Sequence, residues 1–72
     1  MAEVPVALFW ELPDGTRCVL YKDPRADSWP MRVARGPQVL RAETFSNPIV
    51  AMDHAKEWRA AFLERESRKA AG

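Results

Sequence analysis

The sequence predicts an α+β domain in which a single C-terminal helix covers one face of an antiparallel meander of three to four strands. Three observations predict this fold: apolar stretches alternate with turn-forming residues, the last stretch repeats apolar residues at helical spacing, and every connection is short. The strands are expected at about 4–12, 16–22, 29–35 and 38–44, and the helix at about 48–65. Residues 1–65 then form one ββββα domain, and the charged tail 66–72 is expected to fray.

The first two strands are predicted to form a hairpin around Pro13-Asp14-Gly15. Proline presets φ for the first turn position, aspartate tolerates the second, and glycine takes the left-handed third. This turn places Glu11 opposite Arg17, where opposite charges favour the register. The same register sets Leu12 opposite Thr16, Trp10 opposite Cys18, Phe9 opposite Val19, and Leu8 opposite Leu20.

The second hairpin is predicted around Gly36-Pro37, a pair that interrupts regular structure. A loop of two residues there sets Val33 opposite Leu40, Met31 opposite Ala42, and Arg32 opposite Arg41. The polar segment 23–28 is expected to be the loop between the hairpins. At its end, Trp29 either closes the sheet over the core, the favoured interpretation, or contacts a partner.

Asn47 and Pro48 predict where the helix begins, since asparagine is a good N-cap and proline suits the first helical position. Ala51, Ala55, Trp58 and Phe62 then fall on one stripe, flanked by His54 and Ala61. From the strands, the stripe is expected to meet Leu8, Trp10, Cys18, Leu20, Met31, Val33, Leu40 and Ala42.

Size and composition narrow the class of protein. A chain of 72 residues with one cysteine and one histidine can form neither an internal disulfide nor a four-ligand zinc site. Stability must therefore come from packing or self-association. The net charge of +1 is far from that of dedicated nucleic-acid binders. With no basic signal region and no apolar run of about 18 residues, we expect a soluble, cytoplasmic protein with no membrane partner.

No pattern in the sequence indicates catalysis. His54 lies at the edge of the helical stripe, and Cys18 is expected in the core, where it acts as a small hydrophobe. The glycines are isolated and form no phosphate-binding loop. We therefore expect a non-enzymatic binding module with no catalytic residue, no metal site and no small-molecule cofactor.

The uncovered sheet face is the predicted site of function. It should carry Ala7, Phe9, Glu11, Arg17, Val19, Tyr21, Arg32, Ala34, Val39 and Arg41, which is more apolar than a solvated face requires. The favoured interpretation is a homo-oligomer, with a dimer preferred, formed face to face or edge to edge. The alternative is single-stranded nucleic acid, with its bases stacked on Phe9 and Tyr21 and its phosphates bound by arginines of the same face. Those arginines are Arg17, Arg32 and Arg41. The interface residues are expected to be Phe9, Arg17, Val19, Tyr21, Arg32 and Arg41.

Overall fold

The computed structural model describes residues 3–71, with side chains described as far as Arg65. Four strands precede one helix: β1 (Val4–Glu11), β2 (Thr16–Lys22), β3 (Trp29–Arg35), β4 (Gln38–Phe45) and α1 (Pro48–Ala71). The strands form one antiparallel sheet in the order β1-β2-β3-β4. The predicted meander with a C-terminal helix is confirmed, and the sheet has four strands.

Both predicted hairpin turns are present. In the first, the Leu12 carbonyl accepts a hydrogen bond from the Gly15 N–H at 3.0 Å, and Gly15 has a φ of 92°. In the second, Arg35 pairs with Gln38, so Gly36 and Pro37 form the two-residue loop, and Gly36 has a φ of 60°. These positive φ values explain why glycine stands at each turn.

Strand β1 departs from the predicted register beyond Trp10. The pairs Glu11 with Arg17 and Trp10 with Cys18 are confirmed, but Leu8 pairs with Val19 because Phe9 is the extra residue of a β-bulge. Opposed residues share a face, so Leu8 lies on the face of Val19, and Phe9 packs against the core beside Trp10. The bulge lets two consecutive aromatic rings contact one side of the sheet. The expected positions of Leu8 and Phe9 were wrong for this reason.

The same correction applies to Ala7. It pairs with Leu20 and packs against the core, not on the uncovered face as predicted. A second bulge, with Val6 as its extra residue, follows between Pro5 and Ala7. Each bulge shifts the alternation by one residue, so the residues before it project on the opposite side from the one that a regular strand would give them.

Strand β4 has a bulge of its own. Ala34 pairs with Val39 as the two-residue loop requires, but Val33 pairs with Arg41 because Leu40 is an extra residue. Leu40 and Arg41 therefore both project toward the helix: Leu40 packs against the core, and the Arg41 guanidinium lies 4.3 Å from the centre of the Trp58 ring. The prediction of Arg41 on the uncovered face was wrong. Ala42, predicted to face the helix, is exposed and pairs with Arg32.

The helix begins as predicted, and its apolar stripe packs on the sheet. The Ile49 N–H donates a hydrogen bond of 2.7 Å to Oδ1 of Asn47, the N-cap. Along the stripe, Ala51, Ala55 and Trp58 are buried, and Phe62 is half-buried. The two small alanines allow a close approach, and the Trp10 indole N–H donates to the Ala55 carbonyl at 2.8 Å.

The core lies between α1 and the sheet face that α1 covers, termed the helix-covered face. Its buried apolar residues are Trp10, Leu12, Cys18, Leu20, Met31, Val33, Phe45, Ala51, Ala55 and Trp58. Trp29 packs against this cluster, as the favoured interpretation expected. The helix runs to Ala71, beyond the predicted end near residue 65. Side chains from residue 66 onward lie outside those described, so the fraying of 66–72 stays a prediction.

Candidate interaction surface

The opposite side of the sheet, termed the open face, carries a groove along its two central strands. The groove has a volume of about 700 Å³. It follows β2 from the turn at Gly15 to Tyr21, a length of about 20 Å at the usual rise per residue. Small residues form it, since Gly15, Ala34 and Gly36 leave space between larger neighbours. The lining comprises Gly15, Arg17, Val19, Tyr21, Arg32, Ala34, Gly36 and Val39.

Apolar side chains dominate the middle of the open face. Leu8 and Val39, one on each edge strand, are 54% and 55% exposed, with half-buried Val19 and Ala34 on the central strands. Leu8 pairs with Val19 and Ala34 pairs with Val39, whereas Val19 and Ala34 are diagonal neighbours, since Val19 lies opposite Arg32 and Ala34 opposite Arg17. An oblique apolar band, flanked by Arg17 and Arg32 at the central strands, therefore crosses the sheet on the face opposite α1.

Arg32 is held at one end of the groove by two neighbours. Its guanidinium lies 4.8 Å from the centre of the Tyr21 ring, and one of its nitrogens donates a hydrogen bond to Glu3. The hydrogen bond from Arg32 to Glu3 raises the pKa of this arginine. Because Glu3 precedes β1 and Arg32 lies on β3, the ion pair reaches across β2.

Arg17 is held less firmly at the other end. Its Nε lies 3.8 Å from Oε2 of Glu11, beyond hydrogen-bond range, and both side chains are well exposed. An exposed pair of this kind contributes at most about 1 kcal/mol. Each arginine of the open face therefore has a carboxylate beside it, and the two pairs nearly cancel in charge.

The structure brings together four of the six predicted interface residues: Arg17, Val19, Tyr21 and Arg32 line the groove. Phe9 and Arg41 do not, because the two bulges turn them to the helix-covered face. Sequence reasoning missed Leu8, for the same reason, and Glu3. No local signal marked Glu3, because its partner lies far along the chain.

Both edges of the sheet are irregular. On β1, two bulges interrupt the ladder, and Pro5 has no N–H to offer a further strand. On β4, a bulge is followed by the charged residues Arg41 and Glu43. Proteins use these features to prevent edge-to-edge pairing. The open face is therefore a better contact surface than either edge.

The cysteine and the histidine that were considered as candidates for chemistry both pack against other side chains. Cys18 is fully buried, and desolvation raises its pKa to about 12, so the thiol stays protonated at neutral pH. His54 packs its ring against Phe45, with 4.9 Å between the ring centres. Among the described residues, His, Cys, Asp and Glu side chains form no group of three or more that could hold a metal ion.

Comparisons of the chain with protein-family models, with curated proteins and with solved structures give no match. The described residues include no helical segment with the length and hydrophobicity that spanning a lipid bilayer requires.

Proposed function

We propose that this protein is a non-enzymatic interaction module of the cytoplasm that self-associates by packing the open faces of two copies together. The observation that carries the proposal is the apolar band from Leu8 to Val39, which crosses an otherwise uncovered sheet beside the groove. Burial of apolar surface is the main driving force of association. Small chains without a disulfide or metal gain most from such a contact.

The distribution of charge on the open face supports a second copy of the chain as its binding partner. The open face pairs Arg17 with Glu11 and Arg32 with Glu3, so two such faces approach without net repulsion. Arg32 is already hydrogen-bonded and stacked on Tyr21, which lowers the penalty for covering it. A two-fold contact uses the same patch on both copies, and this patch carries both signs of charge.

Geometry favours face-to-face over edge-to-edge association, since both edges carry features that prevent pairing. From strand spacing and rise, the open face measures about 19 Å by 23 Å, a footprint of about 440 Å² per copy. This lies below the roughly 800 Å² per partner of a standard stable interface. We therefore expect a dimer of moderate affinity, populated at micromolar or higher concentrations.

Single-stranded nucleic acid remains the alternative partner, with less support. Stacking needs free aromatic faces, but Phe9 packs against the core, and Arg32 lies over the Tyr21 ring. Phosphate binding needs free cations, yet Arg17 and Arg32 each have a carboxylate neighbour. Tyr21 and these two arginines still line one groove, which is the observation in favour of this alternative.

The test compares the same kind of change, an aliphatic residue to glutamate, on opposite sides of the molecule. Val39→Glu introduces a charge on the open face, and Ile49→Glu introduces the same charge on the helix surface, where Ile49 is 65% exposed. Both sites are exposed, so both variants should fold. Molar mass from light scattering should fall to that of a monomer only for Val39→Glu. Equal behaviour of the two variants would refute the open face as the interface.

A titration with fluorescent single-stranded DNA and RNA addresses the alternative. The proposal expects no specific binding at physiological salt. Tight binding that weakens steeply with salt and is lost in Arg32→Ala would favour nucleic acid as the partner. In that case wild type should also be monomeric before the nucleic acid is added.

A further inference from the structure

The two halves of the open face differ in the size and charge of their side chains. Over strands β1 and β2, long polar side chains crowd together, and Arg17 of β2 lies beside Glu11 of β1. Arg32 belongs to β3, but its guanidinium lies over the Tyr21 ring of β2 and reaches Glu3, which precedes β1. The charged groups of the open face therefore gather over β1 and β2, termed the bulky half.

The half over β3 and β4, termed the low half, carries small and aliphatic side chains. Ala34 pairs with Val39 on the open face, and exposed Ala42 lies on the same face because it pairs with Arg32. The low half borders Gly36, which lines the groove together with Ala34 and Val39. Since the head group of Arg32 leans toward β2, the low half offers space for side chains of another molecule.

A two-fold contact between aligned open faces has its axis in the plane between the sheets, either along the strands or across them. An axis across the strands sets each strand against its own copy, so the two bulky halves meet and the two low halves leave a gap. A gap forfeits packing energy, and like charges of the bulky halves face each other. An axis along the strands, between β2 and β3, instead places each bulky half on the low half of the other copy.

We propose that the open faces pack with the two-fold axis along the strands, so that β2 faces β3 of the other copy and β1 faces β4. The inference rests on the proposed self-association and specifies its geometry. Because Arg17 and Ala34 pair within the sheet, this axis brings Arg17 of one copy over Ala34 of the other. The aliphatic stem of Arg17 then fills the groove while its guanidinium stays beside Glu11.

The edge strands distinguish the two axes most clearly. Leu8 pairs with Val19, and Ala42 pairs with Arg32. Because Val19 also pairs with Arg32, the four residues form one row across the sheet, with Leu8 and Ala42 at its ends. An axis along the strands sets Leu8 against Ala42 of the other copy, about 10 Å away across the packed sheets. The two Leu8 residues then lie on opposite edges, about 17 Å apart from strand and sheet spacing.

Thiol cross-linking tests this axis. Leu8→Cys and Ala42→Cys are made on separate chains and treated, alone and as an equimolar mixture, with a flexible bis-maleimide whose reach is about the sheet separation of 10 Å. Cys18 is fully buried and should not react. The mixture should give a covalent dimer on a denaturing gel, whereas each variant alone, the matched controls, should give little. Light scattering establishes the concentration at which both variants are dimeric.

The possible results separate the geometry from the self-association. Cross-linking of Leu8→Cys alone, with no gain in the mixture, would overturn the axis along the strands and leave self-association standing. The absence of any cross-link in dimeric samples would overturn the axis as well. A wild-type protein that is monomeric at every concentration would overturn both proposals.

A measurement on the wild-type protein covers the case in which Leu8→Cys prevents association. Isotope-filtered nuclear Overhauser spectra of mixed labelled and unlabelled chains detect only contacts between copies. The axis along the strands predicts contacts from the Leu8 methyl groups to the Ala42 methyl group. Contacts between the Leu8 methyl groups of the two copies, without any to Ala42, would overturn it.

Discussion

Both faces of this sheet carry apolar side chains, but the two faces have opposite surroundings. On the helix-covered face, Cys18, Met31 and Val33 are fully buried beneath α1. On the open face, Leu8 and Val39 are more than half exposed. One face is covered by a helix of the same chain, whereas the apolar side chains of the other face are left uncovered by the residues that the structure describes.

The bulges decide which residues each face receives. At each of the Phe9 and Leu40 bulges, two consecutive residues turn toward the helix-covered face, which gains Phe9 and Arg41. The open face gains Leu8 in return and keeps only Tyr21 among the predicted aromatics. The bulges thus shift the open face from an aromatic and basic surface toward an aliphatic, charge-balanced one.

The largest effect is expected in the core beneath the helix. Trp58 is 2% exposed and contacts the Phe45 ring, so Trp58→Ala should lower the free energy of unfolding by about 3–5 kcal/mol. Ile49→Ala on the outer helix surface serves as the control and should change it by less than about 0.5 kcal/mol. Urea denaturation measures both. A small loss for Trp58→Ala would mean that the helix contributes little to stability.

On the open face, a substitution should weaken association and leave the stability of the monomer almost unchanged. Val39→Glu should leave the free energy of unfolding of the monomer within about 0.5 kcal/mol of wild type. It should nonetheless weaken association by about 2 kcal/mol or more, because it places a charge in the apolar band. Urea denaturation at low protein concentration and analytical ultracentrifugation separate the two effects. A large loss of monomer stability would show that the two faces are not independent.

A smaller effect is expected at the hydrogen bond between Trp10 on the sheet and Ala55 on the helix. Trp10→Phe keeps an aromatic ring but removes the indole N–H that donates to the Ala55 carbonyl at 2.8 Å. The free energy of unfolding should fall by about 1 kcal/mol. Trp10→Ala, which also removes the ring, should cost about 3–5 kcal/mol. Similar losses for the two variants would mean that the hydrogen bond, not the ring, dominates this contact.

The smallest effect concerns Asp14, in the turn at the end of both faces. Hydrogen bonds from the side chain and then the backbone of Thr16, together with Arg35, hold its pKa below the usual 3.8. The folded state therefore favours the ionised form, and this stabilisation is complete above pH 3.8 and declines as the pH falls through the lowered pKa. Asp14→Asn should be modestly less stable than wild type at neutral pH. The difference should narrow in denaturation curves recorded at acid pH, and a constant difference would contradict this assignment.

Much of the fold was predictable because its signals are local. Pro13-Asp14-Gly15 and Gly36-Pro37 specify turns by their backbone preferences, and Asn47 with Pro48 specifies the helix start. Near each turn the predicted register is correct. The errors begin at the bulges, because no glycine or other local feature marks Phe9 or Leu40 as an extra residue. There the gain from packing against the helix outweighs regular pairing.

Part of the candidate site was predicted because it depends only on the alternation of side chains along regular strands. Arg17, Val19, Tyr21 and Arg32 lie on strands β2 and β3, whose mutual pairing has no bulge, so alternation assigned them correctly. Phe9 and Arg41 lie beside bulges on the edge strands. The role of Glu3 depends on a contact across the sheet, and alternation along one strand carries no information about it.

The measurement that most directly tests self-association through the open face is the molar mass of the wild-type protein by light scattering, over a range of protein concentrations at low and high salt. Self-association through the open face predicts a monomer–dimer equilibrium that persists at high salt, because the contact is apolar and the ion pairs are few. A monomer at every concentration and salt would contradict it.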